Sequence, residues 1–220
     1  MTLDGRECFE HTMDGAKILM LQPVDDHDRG LLDDEVAMIK DNTDKPFNLV
    51  AFAVGNWMDD LTPWTAPPAF GKQPFGSGAP ETLRFINDIL LPSLTERWGK
   101  ITVVVGGYSL AGLFSLWAGY NSNLFDGIAA ASPSVWYPGW MDYIESREMH
   151  ARAVYLSLGD RESHTKNPAM AHIDDAIRRQ YELLRTPDRA AAIEWNPGNH
   201  FVDSEKRMAR AFAWVASRII

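Results

Sequence analysis

Short apolar runs alternate along the chain with stretches of helical periodicity. The runs fall at 16–24 (AKILMLQPV), 47–54 (FNLVAFAV), 101–106, 125–131, 152–158 (RAVYLSL) and 191–195. Their length and turn-forming flanks predict strands, and 47–54, apolar at successive positions, has the pattern of a strand covered on both faces. Between the runs lie amphipathic helices. Residues 25–44 place Leu31, Leu32, Val36 and Ile39 on one face of a strongly acidic segment. Residues 80–98 carry Leu83, Ile86, Ile89, Leu90 and Leu94, with Gly99 as a stop signal and Pro92 predicting a kink or break. Further helices are predicted at 110–119, at 143–149 and at 169–185 (stripe Ile173, Ile177, Tyr181, Leu184). The last, at 204–217, turns Met208, Ala211, Phe212 and Val215 inward. This alternation argues for one α/β domain over residues 1–220: a mostly parallel sheet with helices on both faces. In such sheets ligands bind beyond the carboxyl ends of the strands.

The segments at those ends are rich in turn residues and aromatics. Residues 58–80 show no clear periodicity, yet with Trp57 just before them they carry Trp64, Phe70 and Phe75, which need something to pack on. An ordered loop over the mouth of a site is expected. Residues 132–140 form a second aromatic loop holding Trp136.

Charge narrows the partners. A formal net charge of −9 argues against nucleic acid or an anionic membrane surface. The first residues lack a basic, apolar leader, and no apolar run is long enough to span a bilayer, so a cytoplasmic protein is expected. Cys8 is the only cysteine, which rules out an intrachain disulfide and fits a reducing compartment. It lies near an exposed-looking terminus without a basic cluster and reads as inert. The cluster Asp25-Asp26-His27-Asp28 matches neither an EF-hand nor a His-x-x-x-His spacing. It reads as a solvated loop, and no metal is expected.

The chemistry gathers around residues 102–117. A β-branched run meets Gly106 and Gly107, then Tyr108 and Ser109, then Ala111 and Gly112, and the pattern turns helical. That is the pattern of a nucleophile elbow, with Ser109 on a sharp strand-to-helix turn. Side chains larger than those of Gly107, Ala111 and Gly112 would collide with the adjoining strand and helix. A nucleophilic serine needs a base. Of six histidines, His11, His27, His150 and His172 sit in unpromising places, whereas His164 and His200 follow strand ends. His200 is preferred, because it follows the last strand through a Pro-Gly turn and completes the order serine, acid, histidine. Asp160 and Glu162, one strand earlier, are both candidates for the carboxylate that orients the base, and spacing does not choose between them. The oxyanion donors are expected at the Leu110 amide and at one of Gly55, Asn56 and Trp57.

These residues resemble the esterase branch of the α/β-hydrolase superfamily. That branch holds enterobactin-type siderophore esterases, bacterial feruloyl esterases, S-formylglutathione hydrolase and mycolyltransferases. The resemblance covers residues from about 47 onward. It rests on Gly107-Tyr108-Ser109-Leu110-Ala111-Gly112-Leu113-Phe114, Ser132-Pro133-Ser134-Val135-Trp136, Gly159-Asp160-Arg161-Glu162 and Gly198-Asn199-His200. The stretch Gly55-Asn56-Trp57-Met58-Asp59-Asp60-Leu61 is similar to the loop after the oxyanion strand in the siderophore-esterase subgroup. The resemblance implies an α/β-hydrolase fold, Ser109 as nucleophile, His200 as base and Glu162, ahead of Asp160, as acid. Ala111 stands where the motif has its second glycine, and no separate cap domain is visible. Substrate recognition would then fall to Trp57, Trp64, Tyr108 and Trp136. The expected activity is hydrolysis of a small-molecule carboxylic ester without cofactor. The alternatives are an acyltransferase and a non-catalytic binding protein of the same fold, and the sequence leaves the oligomeric state open.

Overall fold

In the computed structural model, residues 1–219 are described. They form an eight-stranded sheet: β1 (Thr2–Leu3), β2 (Arg6–His11), β3 (Ile18–Val24), β4 (Phe47–Ala53), β5 (Thr102–Tyr108), β6 (Gly127–Ala131), β7 (Ala153–Gly159) and β8 (Ala190–Asn196). The spatial order is β1-β2-β4-β3-β5-β6-β7-β8. The strands from β3 to β8 run parallel, while β2 joins β4 and β1 joins β2 antiparallel. Leu21 of β3 lies between Val50 of β4 and Val105 of β5. The chain leaves β3 on one side and returns to β5 on the other. That reversal opens a crevice at the carboxyl ends of the strands.

The helices are α1 (Asp26–Asn42), α2 (Trp57–Asp60), α3 (Ala79–Phe85), α4 (Leu91–Trp98), α5 (Leu110–Asn121), α6 (Trp140–Glu145), α7 (Ile173–Leu184) and α8 (Ser204–Ile219). Strand periodicity sorts them into two layers. Ile18, Met20, Val104 and Ala129 pack with α1 and α8. Leu19, Leu21, Val103, Val105 and Ile128 pack with the other helices. Helix α8 lies very close to the sheet. A Cβ on Gly127 would sit 2.3 Å from Val215 Cγ1, and one on Gly106 would sit 2.7 Å from the Phe212 ring. Among the described residues no helix is long and apolar enough to cross a membrane.

Several expectations change in detail. The break expected at Pro92 takes the form of a π turn over Ile86–Leu90, in which the Leu91 amide reaches back to the Ile86 carbonyl. The wider turn accommodates a proline that cannot donate to the ladder. The cluster 25–28 is solvated, as expected, but it starts a helix instead of forming a loop. Asp25 caps α1 by accepting the Asp28 amide at 2.9 Å, and Asp26 and Asp28 occupy the first turn, where the helix dipole favours negative charge. Residues 6–11, not anticipated as a strand, carry Cys8 into the sheet against Phe52. Cys8 is therefore buried rather than at an exposed terminus, and burial pushes its thiol pKa up. Helix α6 begins at Trp140, three residues ahead of the periodicity estimate, and α7 begins only at Ile173.

Helix α1 also buries a charge-bearing group that its apolar stripe did not reveal. Glu35 is 3% exposed and accepts Gln22 Nε2 at 3.2 Å. Burial pushes its carboxyl up to about 8, opposing the Gln22 hydrogen bond that favours ionisation. The folded protein thus holds a proton that the unfolded chain, near the ordinary 4.5, has released. Stability conferred by that proton falls as pH rises through the window between the two values. We expect urea midpoints to decline across this window in the wild type and to decline less in Glu35→Gln; parallel slopes would contradict the assignment.

Candidate active site

The elbow follows from local sterics. Strand β5 ends at Tyr108, α5 starts at Leu110, and Ser109 between them has φ 57° and ψ −119°. A positive φ in a residue other than glycine costs on the order of 1–3 kcal/mol and persists only where the surroundings impose it. Here they do. A Cβ on Gly107 would lie 2.5 Å from the Ala111 backbone, and one on Gly112 would lie 2.9 Å from the Gly107 carbonyl oxygen. Strand and helix therefore meet at a distance that only small residues allow. Ser109 makes no side-chain cap of α5, which leaves its hydroxyl free for other use. The Oγ lies 3.4 Å from Ser134 Oγ, and the Ser134 amide donates to the Ser109 carbonyl at 3.0 Å.

The loops after β7 and β8 bring the acid and the histidine together. His200 Nδ1 lies 2.7 Å from Glu162 Oε2. The other oxygen of Glu162 accepts the Ser132 hydroxyl at 2.7 Å, the Gly159 amide at 2.7 Å and Arg207 Nη1 at 3.1 Å. Burial pushes this carboxyl up, but hydrogen bonding to His200, the charge of His200 and the Gly159 and Ser132 donors outweigh it. The net effect is a pKa below the ordinary value, so the group is a carboxylate at neutral pH. Asp160, the other acid candidate, is turned away: its carboxylate accepts the Gly198 amide at 2.8 Å. His200 also packs beside Tyr108, whose hydroxyl donates to the His200 carbonyl at 2.8 Å.

Ser109, Glu162 and His200 line one cavity of about 500 Å³. Its walls are largely apolar and include Phe70, Trp136, Met170, Ile173 and Phe201. Of the four aromatic residues expected at a substrate site, Trp136 lines this cavity. Trp57, Trp64 and Tyr108 do not. Tyr108 faces the histidine loop instead. Trp64 binds the two aromatic loops to each other: its indole N–H donates to the Pro138 carbonyl at 2.8 Å, and its ring packs with Tyr137, Trp140 and Tyr143. The expectation of an ordered loop at 58–80 is met by this cluster, by pairing of Ala66 with Phe75, and by a hydrogen bond from Asn167 to the Ala69 carbonyl.

The expected oxyanion donors differ in their commitments. Leu110 opens α5, where helix geometry leaves its amide without an intrahelical acceptor. The Gly55 and Asn56 amides already donate to Asp60 Oδ2, at 2.8 and 3.1 Å. Trp57 is the first residue of α2, so its amide is left without an intrahelical partner. Among the described residues no group of three or more His, Cys, Asp and Glu side chains is placed to hold a metal.

Several residues of the site, Ser134, Phe201 and Arg207 among them, were not assigned a role from the sequence. Ser134 and Phe201 flank recognised positions but carry no periodic signal. Arg207 is 1% exposed and donates into the acid and histidine loops. Its signal was present: it stands four residues before Ala211, on the apolar stripe of α8, where a charge is out of place.

The strand order, the elbow and the parallel sheet define an α/β hydrolase in fold. No family model matches the chain, and no curated protein matches it in sequence. Solved structures do. The siderophore hydrolase EstA from Aspergillus nidulans superposes with a TM-score of 0.72 at 16% identity, covering 96% of this chain and 94% of its own. The BES protein from Bacillus cereus gives 0.70 at 16%, with coverage of 96% and 90%. An S-formylglutathione hydrolase from Agrobacterium tumefaciens gives 0.62 at 10%, over 100% of both chains. The protein therefore has the α/β-hydrolase fold, and esterases are among the structures it matches.

The elbow makes a sharp prediction. Gly107→Ala forces a methyl group into the Ala111 backbone, so it should lower stability by about 1–3 kcal/mol, the usual cost of overpacking. Unchanged unfolding midpoints would show that the elbow tolerates the methyl group.

Proposed function

We propose that the protein is a serine hydrolase that cleaves carboxylic esters through an acyl-enzyme on Ser109. The observation that carries this reading is the 2.7 Å contact between His200 and the buried Glu162, at a cavity that Ser109 also lines. Ser109 Oγ attacks the ester carbonyl while His200 takes its proton. Glu162 holds the imidazole in one orientation and stabilises the imidazolium that forms. The tetrahedral oxyanion is held by the Leu110 amide, with the Trp57 amide as second donor. Each such donor is worth about 3 kcal/mol in the transition state. His200 then returns the proton to the departing alcohol, and water resolves the acyl-enzyme by the reverse sequence. The chemistry needs no metal or cofactor, and a single domain over residues 1–220 supplies every group.

The apolar walls favour a substrate with an apolar or aromatic group on one side of the ester. The resemblance to siderophore hydrolases and S-formylglutathione hydrolase agrees with ester or thioester cleavage and does not select a substrate.

A fluorophosphonate probe should label the wild type and fail to label Ser109→Ala; labelling that persists in the variant would remove Ser109 as nucleophile. Against a panel of p-nitrophenyl esters, Glu162→Gln should lower kcat by at least about tenfold, because the imidazole loses its orienting carboxylate. Asp160→Asn should leave kcat within about twofold, since an amide oxygen can still accept the Gly198 N–H. If Asp160→Asn is the slower enzyme, the acid is misassigned. Labelling without hydrolysis of any ester would redirect the reading to acyl transfer onto an alcohol.

A further inference from the structure

We infer that Arg207 is a positioning residue of this site: from the layer beneath the cavity it holds Glu162 toward His200 and fixes the loop that carries His200. The inference rests on the hydrolase reading for its kinetic consequences, but its geometry stands apart from it. Arg207 projects from the first turn of α8 and does not line the cavity, so it acts only through other residues. Its Nη1 donates to Tyr108 Oη at 3.0 Å, Ser132 Oγ at 3.1 Å and Glu162 Oε1 at 3.1 Å. Its Nη2 donates to the carbonyls of Pro197 and Asn199, at 3.2 and 3.0 Å. One rigid guanidinium plane therefore spans the end of β5 and the three loops after β6, β7 and β8.

Two features separate this from a packing role. Burying a guanidinium is costly and serves stability poorly, since apolar side chains of similar volume commonly do as well or better. The planar fork also fixes the angle between Glu162 and the histidine loop, which a flexible ammonium could not. The division of the Glu162 oxygens follows: Oε1 takes Arg207, Ser132 and Gly159, and Oε2 is left to His200 alone. The titratable groups that Arg207 touches are Glu162 and Tyr108, and it reaches His200 through Glu162 and the Asn199 carbonyl. On the side of α8 that faces α1, Asp28, Glu35 and Glu205 line a small pocket with Tyr108. Asp160 is occupied by the Gly198 amide, and on α8 itself Arg210 is occupied by Glu194 and Asn196.

The test uses purified full-length Arg207→Lys, Arg207→Met and Tyr108→Phe, with a p-nitrophenyl ester that the wild type hydrolyses. Lysine keeps a positive charge at Glu162 but cannot also span both loop carbonyls. Its kcat should fall by up to about 10²-fold, the scale of a misplacement near 1 Å, with KM unchanged because Arg207 does not itself line the cavity. Methionine removes the fork altogether, and its kcat should fall at least as far, again with KM unchanged. An unchanged kcat in both variants, or a change confined to KM, overturns the inference. Should Arg207→Met fail to fold, Arg207→Lys and Tyr108→Phe decide the matter, the latter by lowering kcat through loss of the hydroxyl between Arg207 and the His200 carbonyl. A separate readout is the downfield Nδ1 proton of His200 by NMR, identified by its loss in Glu162→Gln. Its displacement or broadening in Arg207→Lys supports the positioning role even if Ser109 proves not to be the nucleophile, and an unmoved resonance overturns it.

Discussion

A buried carboxylate governs the architecture of this site. Glu162 has a side chain only 3% exposed, and a charge in that position must be met from every side or not carried at all. The neighbours meet it with a hydroxyl from β6's exit, a backbone amide from β7's end, a guanidinium from α8 and the imidazole. Each donor comes from a different element. Satisfying one charge thereby fixes the relative placement of helix α8 and of the three loops after β6, β7 and β8, which border the cavity.

The same economy of space appears in the sheet. Helix α8 approaches β5 and β6 so closely that Gly106 and Gly127 have no room for a methyl group. That approach brings Arg207 within reach of Glu162, and Arg210 within reach of Glu194 and Asn196. Small residues in the strands thus do more than relax the backbone. They set the depth at which a helix can deliver a charged side chain to the edge of the core.

How much of this was legible in the sequence depended on whether the signal was local. Strands 47–54 and 101–106 and the Ser109 elbow announced themselves, because apolar runs and small residues report directly on backbone sterics. The helix over 80–98 was visible, but whether Pro92 would break it or widen one turn depends on the packing of Ile86 and Leu90. Strand β2 went unseen because its alternation is weak and its partner, β4, lies some forty residues away. Within the site, spacing could not separate Asp160 from Glu162, two positions apart on one loop. What separates them is the direction each side chain takes when Arg207, Ser132 and Gly198 are in place, and those partners come from far along the chain. Trp64 and Tyr108 show the reverse error. An aromatic residue near a strand end looks like a substrate contact, yet both have their polar atoms engaged within the protein, in joining loops.

The aromatic bridge around Trp64 joins the two loops that carry Phe70 and Trp136. The contacts that hold these loops together include Trp64 against Tyr137, Trp140 and Tyr143, away from the cavity, and Phe70 against Trp136, both of which line it. Phe201, from the loop after β8, stands outside this bridge. The wall is therefore uneven in what a substitution would disturb. Phe201 is 88% exposed and can be exchanged without touching the junction of the two aromatic loops, whereas an exchange at Phe70 or Trp136 leaves that junction to Trp64 and its neighbours.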